Sequence, residues 1–460
     1  MADTFFQSLF TSIADGGRDL ISRNLRRTER DPADHVIGLC RALVSSHGEA
    51  SGAALAMATL DAYRGLSAEE RARVFHRLVA EFCADEAAVV TAYHAYRADP
   101  SPATLVALVE AAEPPRRELL GRLNIAPGGT ADLVRMRGEV LKLLPAEDDL
   151  TALDSDLQHL FVSWFNRGFL SLERIDWHTA AAVLEKLIAY EAVHEIDGWE
   201  DLRRRLAADR RCFAFFHPAL PDEPLIFVQV ALVRSIPDRV QPLLDRSAPV
   251  FDVKQADTAV FFSISNCQPG LRSISFGNFL IKQVAADLQA ELPNLKTFVT
   301  LSPIPGFSRW LHGVAQTNGD GELHDLLADL DGLADADWQE AERTKALEEP
   351  LTQLAAWYLV REKKGTMPLD PVARFHLGNG ARLERINWRG DVSAKGLRHG
   401  HGLMVNYLYR LDQVERNHEA FVNDKKVVAS RAVDQLVKAS PWPGKETGKA
   451  AANATPLPAV

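Results

Sequence analysis

The spacing of apolar residues, helical throughout the first part of this chain, changes near Arg210, and that change limits which elements each part can form. From about Asp31 to Ala192 apolar residues recur mostly at intervals of three and four; Val74, Leu78 and Phe82, for example, share one helix face. Ser67 followed by Glu70 predicts a capping box, Pro114-Pro115 ends one helix, and Pro127-Gly128-Gly129-Thr130 separates two more with Thr130 as N-cap. Such short turns predict an antiparallel bundle. Beyond Arg210 the runs Cys212 to Phe216, Leu225 to Val233 and Thr258 to Ser265 are short, rich in Phe, Val and Ile, and bounded by Pro, Asp and Asn, as strands are. Phe279 to Leu292 returns to helical spacing and Thr297 to Leu301 is again strand-like, giving strand, loop, helix, strand. Helical spacing then covers Leu323 to Val360, strand-like pieces surround Phe375 and Ile386, and a helix-like stretch runs from Val405 to Phe421. The fold class expected is mixed: an N-terminal all-α helical bundle domain followed by a C-terminal α/β domain. The expected division is an N-terminal extension over 1–30, the helical domain over 31–175, the α/β domain over 176–430 and a disordered tail over 431–460.

A chain of 460 residues exceeds the size at which one core usually keeps growing, in keeping with two domains. Its 52 Lys+Arg against 62 Asp+Glu leave a charge of −10, which argues against nucleic acid or an anionic membrane as partner. An anionic ligand therefore needs a local basic pocket. Cys40, Cys83, Cys212 and Cys267 form no C-x-x-C pair, so neither a disulfide framework nor a thiolate zinc site is expected. No stretch approaches the roughly 20 apolar residues of a membrane span, and Met1 to Arg30 has no continuous apolar segment of the signal-peptide kind. A cytoplasmic location is the simplest expectation. His194-Glu195-Ile196-Asp197-Gly198 begins like a zinc-protease helix but lacks the second histidine, so no metal site is expected.

Three segments carry chemistry. The loop Asn266 to Asn278 lies between a strand and an amphipathic helix, where free N–H groups and the helix dipole suit a phosphate and Arg272 adds a charge. A plain strand-to-helix turn fits its letters equally well. Ser302, in Thr300-Leu301-Ser302-Pro303-Ile304-Pro305-Gly306-Phe307, ends a strand before two prolines, which can present it at a cleft; a hydroxyl satisfying the turn is the commoner role. His376, in Pro371-Val372-Ala373-Arg374-Phe375-His376-Leu377-Gly378-Asn379-Gly380, suits proton transfer near neutral pH, although a lone buried histidine is more often structural.

Together with Trp164 to Leu170, Tyr190 to Ile196 and the block from Pro371 through Tyr409, the Ser302 to Phe307 segment resembles the malonyl-CoA decarboxylase family, over about residues 80 to 420. The resemblance implies a helical domain that mediates homo-oligomerisation, as dimer or tetramer, and a catalytic domain resembling the Gcn5-related acetyltransferase fold. It further implies malonyl-CoA as substrate and acetyl-CoA as product, with no cofactor, because the CoA thioester is itself the substrate. Ser302 matches the family's catalytic serine and His376 its catalytic histidine. Arg272, Ser273, Ile274, Ser275, Phe276, Gly277 and Asn278 match the malonyl-CoA-binding loop, and Tyr409 a tyrosine of the active-site region. Ser273 stands where glycine is common in the family, and Ser275 where some members carry a carboxylate. Two other readings share these features: a CoA-dependent acyltransferase of the Gcn5-related type, and a non-catalytic acyl-CoA-sensing scaffold.

Overall fold

The computed structural model describes residues 31–45, 48–274, 280–318, 321–331, 333, 338 and 341–440. Its N-terminal part is helical, from Pro32–Ser45 through Thr151–Trp164. The expected capping box is formed: Ser67 Oγ accepts from the Glu70 amide at 3.2 Å while Glu70 Oε2 accepts from the Ser67 amide at 2.7 Å. Thr130 is not an N-cap. Gly128, at φ 75°, turns the chain into helix Gly129–Leu143 two residues earlier, a conformation that glycine adopts without steric cost. Thr130 then lies inside the first turn and donates to Asn124 Oδ1 at 2.7 Å.

Leu39, Leu78, Leu133 and Phe161 are buried in a core continuous with Phe215 and Phe261 of the sheet beyond. One part of the helical region stays outside that core. Helices Glu86–Ala98 and Pro102–Ala112 pair with each other, and neither buries a single residue. Val90, Tyr93, Leu105, Val106 and Val109 all remain exposed there, Val109 at 61%.

An eight-stranded mixed sheet follows. Strands β1 (Ser171–Ile175), β2 (Arg210–Phe216), β3 (Ile226–Val233) and β4 (Thr258–Asn266) pair antiparallel in sequence order. After helix Leu280–Glu291 the chain returns as β5 (Thr297–Thr300), parallel to β4. A two-residue strand β6 (Ser302–Pro303) continues β5 after Leu301. A small ladder of β7 (Lys363–Lys364) and β8 (Met367–Pro368) lies apart, and β9 (Arg382–Asn387) pairs with β10 (Met404–Tyr409), which also pairs with β5 and β6. Between β3 and β4 the register skips one residue: Val230 faces Phe261 while Gln229 faces Ser263, leaving Phe262 as a bulge.

Strand β2 is buried at every position, so its sheet is covered on both faces. The helices Ala181–Tyr190 and Gly198–Arg205 cover one of them, where Ile175, Leu184 and Phe227 pack together.

Several expectations need correcting. Phe375 lies on helix Pro371–Gly378, not in a strand: Asp370 Oδ1 accepts from the Ala373 amide at 2.8 Å and Pro371 occupies the first helical position, a start signal that outweighs a short apolar run. The stretch from Val405 is strand β10 before it becomes helix Val414–Asp424. Both faces of β10 are buried, so the strand shows no polar alternation to read. The sheet already takes in β1 ahead of residue 176, interrupting the all-helical span, and Ser430 caps a further helix, Arg431–Ala439, which packs on helix Ala341–Val360. The proposed extension over 1–30 and the tail from 441 lie outside the described residues.

Candidate active site

The site begins where two parallel strands part. β4 and β5 pair from Thr258–Thr297 to Phe261–Thr300, and a last bond runs from the Leu301 amide to the Phe261 carbonyl at 3.0 Å. Beyond it β4 continues to Asn266, whereas Ser302 and Pro303 pair with Val405 and Met404 of β10. Ser302 therefore sits at the fork between diverging strands. Thr300, two residues earlier, shares its face.

Helix Pro371–Gly378 brings His376 to this point. Its Nε2 lies 3.0 Å from Ser302 Oγ and its Nδ1 lies 2.9 Å from the Tyr409 hydroxyl. Ser302 Oγ donates to Thr300 Oγ1 at 2.9 Å, and Thr300 Oγ1 also accepts from the Tyr407 amide at 3.2 Å. The imidazole stacks on the Tyr407 ring, with centroids 4.5 Å apart and planes inclined by 25°. Ser302, His376 and Tyr409 are all buried. Three residues distant in sequence thus form one hydrogen-bonded row.

Burial sets the protonation states. Desolvation pushes the His376 pKa down to about 3, so the ring is neutral near pH 7. Desolvation pushes Tyr409 well above the usual phenol range, so it keeps its proton. With the hydroxyl proton of Ser302 directed to Thr300, the row is satisfied when Nε2 carries the imidazole hydrogen and Nδ1 accepts from Tyr409. That arrangement points a proton donor at Ser302.

Asp370 caps the His376 helix through Oδ1, while its Oδ2 is buried close to Gly306 of the Ser302 loop without a hydrogen-bond partner among the described residues. Burial pushes this carboxyl up to about 6. Gly306 is required here, since a Cβ at that position would lie 2.3 Å from the Tyr358 hydroxyl.

The predicted phosphate turn is described in part. Residues Pro269–Leu271 form a 3₁₀ turn, Arg272 is exposed, Ser273 adopts φ 66°, and Ile274 is buried. Ser275, Phe276, Gly277 and Asn278 lie outside the described residues. The φ of Ser273 favours a residue without Cβ. His194 is buried beside Glu191, whose carboxylate accepts from Ser263, Ser265 and Gln229 across the sheet. Among the described residues no group of three or more His, Cys, Asp or Glu is placed to hold a metal.

Thr300, Tyr407 and Asp370 were not singled out from the sequence. The period of two in a strand places Thr300 beside Ser302 and Tyr407 beside Tyr409, and Asp370-Pro371 is a helix-start signal.

Comparison with known proteins gives a consistent result. Residues 168–447 match the malonyl-CoA decarboxylase C-terminal domain and residues 82–165 the malonyl-CoA decarboxylase N-terminal domain. The mitochondrial malonyl-CoA decarboxylase of Anser anser anser is 37% identical over 410 residues, spanning 82% of this chain and 81% of that protein. The crystal structure of malonyl-CoA decarboxylase from Rhodopseudomonas palustris is 50% identical, with a TM-score of 0.83 over 88% of this chain and 99% of its own. That from Agrobacterium vitis is 54% identical, with a TM-score of 0.81 over 87% and 99%.

Two measurements follow from the geometry. Ser273→Gly removes the strain of a left-handed side-chain residue and should raise the unfolding free energy by about 1 kcal/mol, read by urea denaturation; no gain would mean that the turn does not hold this φ. For His376 the sign is set by its depressed pKa: the unfolded chain binds a proton below about 6.5 that the folded chain refuses down to about 3, so stability falls with pH across that window. Asp370, raised to about 6, has the opposite slope, losing stability as pH rises from 3.8 through about 6, and this is common to both proteins compared. Wild type should therefore lose roughly 2 kcal/mol relative to His376→Asn between pH 7 and pH 5, measured as the difference between their denaturation curves.

Proposed function

The chain belongs to the malonyl-CoA decarboxylase family, and from that premise we propose that it converts malonyl-CoA to acetyl-CoA and carbon dioxide at the row of Ser302, His376 and Tyr409. The observation that carries this reading is the 3.0 Å approach of Ser302 Oγ to His376 Nε2 at the fork between β4 and β6. The diverging pair β4 and β5, joined by helix Leu280–Glu291, supports a thioester lying along the fork with its phosphates toward the turn ahead of that helix.

Breaking the bond between the malonyl carboxylate and the α-carbon leaves an electron pair that the adjacent thioester carbonyl takes up as an enolate. No separate electron sink is needed, so we propose that no cofactor takes part. Ser302 hydrogen-bonds the departing carboxylate or the enolate oxygen, where a preorganised donor contributes about 2.7 to 4 kcal/mol. His376 delivers the hydrogen on Nε2 to the α-carbon while Tyr409 passes its phenolic proton to Nδ1, so the ring stays neutral; the site resets when a solvent proton reaches Nε2 and Nδ1 returns its proton to the tyrosinate. One proton is drawn from solvent per turnover. The apolar surroundings exclude water from the carboxylate and strengthen these contacts.

The exposed apolar face of the Glu86–Ala98 and Pro102–Ala112 hairpin supports a second copy of the chain as partner, because a side chain such as valine gains about 1.5 to 3 kcal/mol on full burial. A cytoplasmic setting completes the proposal. It is supported by the free thiols of Cys40, Cys83, Cys212 and Cys267. No helix among the described residues is long and apolar enough to cross a membrane.

Purified protein given malonyl-CoA without any acyl acceptor should release carbon dioxide and form acetyl-CoA, seen by mass analysis, and dialysis against a chelator should leave the rate unchanged. Ser302→Ala and His376→Asn should each lower kcat by about 10² to 10⁴-fold with little change in KM, and Tyr409→Phe by less. Near-normal turnover in both of the first two variants would remove the assignment. The combined Val106→Glu and Val109→Glu substitution should reduce the mass measured by light scattering while leaving the circular dichroism spectrum intact; an unchanged mass would place the subunit contact elsewhere.

A further inference from the structure

The turn proposed to receive the CoA phosphates is gripped by a residue of the helical region. Arg137, on helix Gly129–Leu143, is 1% exposed and reaches more than 130 positions along the sequence. Its Nη1 donates to the carbonyls of Gly270 and Arg272, both at 2.8 Å, and its Nε donates to Asp154 Oδ1 at 2.7 Å. Directly beside this contact the two backbones touch. A Cβ on Gly270 would lie 1.8 Å from the Val134 carbonyl oxygen, and one on Gly138 would lie 3.4 Å from the Gly270 amide nitrogen. Only glycine at 270 permits an approach this close.

The consequence is directional. In a trans peptide the N–H points opposite to the C=O. With the Arg272 carbonyl drawn inward to Arg137, the Ser273 N–H is directed away from the helix and outward from the turn. The same guanidinium fixes two carbonyls two residues apart, which leaves the peptides between them little freedom to rotate. The positive charge of Arg137 is matched by Asp154 within the helical region, so its effect on the turn is orientation rather than a direct pull on an anion.

We propose that Arg137 is a positioning residue for the CoA phosphates: acting from the helical region, it holds the Pro269 to Ile274 turn in the form that binds the nucleotide end of malonyl-CoA. The inference rests on the CoA reading of that turn. It gives the helical region, matched separately from the catalytic region over 82–165, a part in substrate affinity beyond assembly. Gly138 and Gly270 are the contact surface of the latch, and Asp154 keeps the guanidinium extended.

The experiment uses the full-length chain and its variants Arg137→Met and Arg137→Lys. With malonyl-CoA as substrate, Arg137→Met should raise KM about 10-fold and leave kcat within twofold, because Ser302, His376 and Tyr409 are untouched. Arg137→Lys, which retains the charge but cannot hold both carbonyls in one plane, should fall between. A kcat loss at unchanged KM, or no change in either constant, overturns the proposal. If Arg137→Met does not fold, Arg137→Lys decides alone: a KM raised at least threefold supports the latch and an unchanged KM refutes it. Amide hydrogen exchange separates this inference from the reading beneath it. CoA should protect amides 271–274 in the wild type; absence of that protection would sink the CoA assignment of the turn itself. Protection in the wild type together with equally tight CoA binding by Arg137→Met would sink only the latch.

Discussion

Backbone pairing between β4 and β5 runs from Thr258–Thr297 to Phe261–Thr300 and then stops, and the site depends on that early end. A parallel pair that continued would close the fork at Ser302. β10, already paired with β5 through Leu408–Val299 and Tyr409–Phe298, runs on along Ser302 and Pro303, so only the edge facing β4 is released. The two prolines at 303 and 305 keep the segment after the fork from becoming helical too soon, and helix Phe307–Asn318 starts only beyond Gly306. The fork is therefore made where pairing ends on one edge of the strand and continues on the other.

A neutral imidazole in such a place is a product of the same packing. Phe375, Tyr407 and Tyr409 surround the His376 ring, and among the described residues no opposite charge is near enough to restore its basicity. Its two nitrogens are instead each given a hydroxyl, from Ser302 and Tyr409, so the polar atoms are satisfied without ionisation. Asp370 fixes the start of the helix that carries the histidine. Ser302 and His376 are thus held by contacts already made within the fold, which is the condition under which oriented dipoles are most effective.

How much of this was legible depended on which physical signal each residue left. The buried runs of β2, β3 and β4 and the capping box at Ser67 left strong local marks, and both were readable. The helix carrying His376 left a conflicting pair: an apolar run that resembles a strand, and Asp370-Pro371, which marks a helix start. The Asp370 cap and Pro371 at the first helical position decided it in favour of the helix. Strand β10 showed no alternation because both of its faces are covered, and its valine, tyrosines and leucine fit either period. Ser302 and His376 could be named because their surroundings resemble a known family, whereas Thr300 and Tyr407 become visible only when the strands they occupy are known. Arg137 left no mark at all, since nothing in its own neighbourhood reveals a partner 133 residues away.

The bulge at Phe262 has a consequence of its own. Because one extra residue is inserted there, β4 turns Phe261 toward Tyr409 on one side of the sheet and, two positions on, turns Ser263 and Ser265 toward Glu191 on the other. The phase of the strand is thus set by a count rather than by a composition. Deletion of Phe262 would leave Val230 opposite Phe261 and Gln229 opposite Ser263 in an unbroken ladder, with the serines still facing the Glu191 carboxylate. Along this stretch the strand carries one residue more than its pairing uses, and the bulge is where that residue is absorbed.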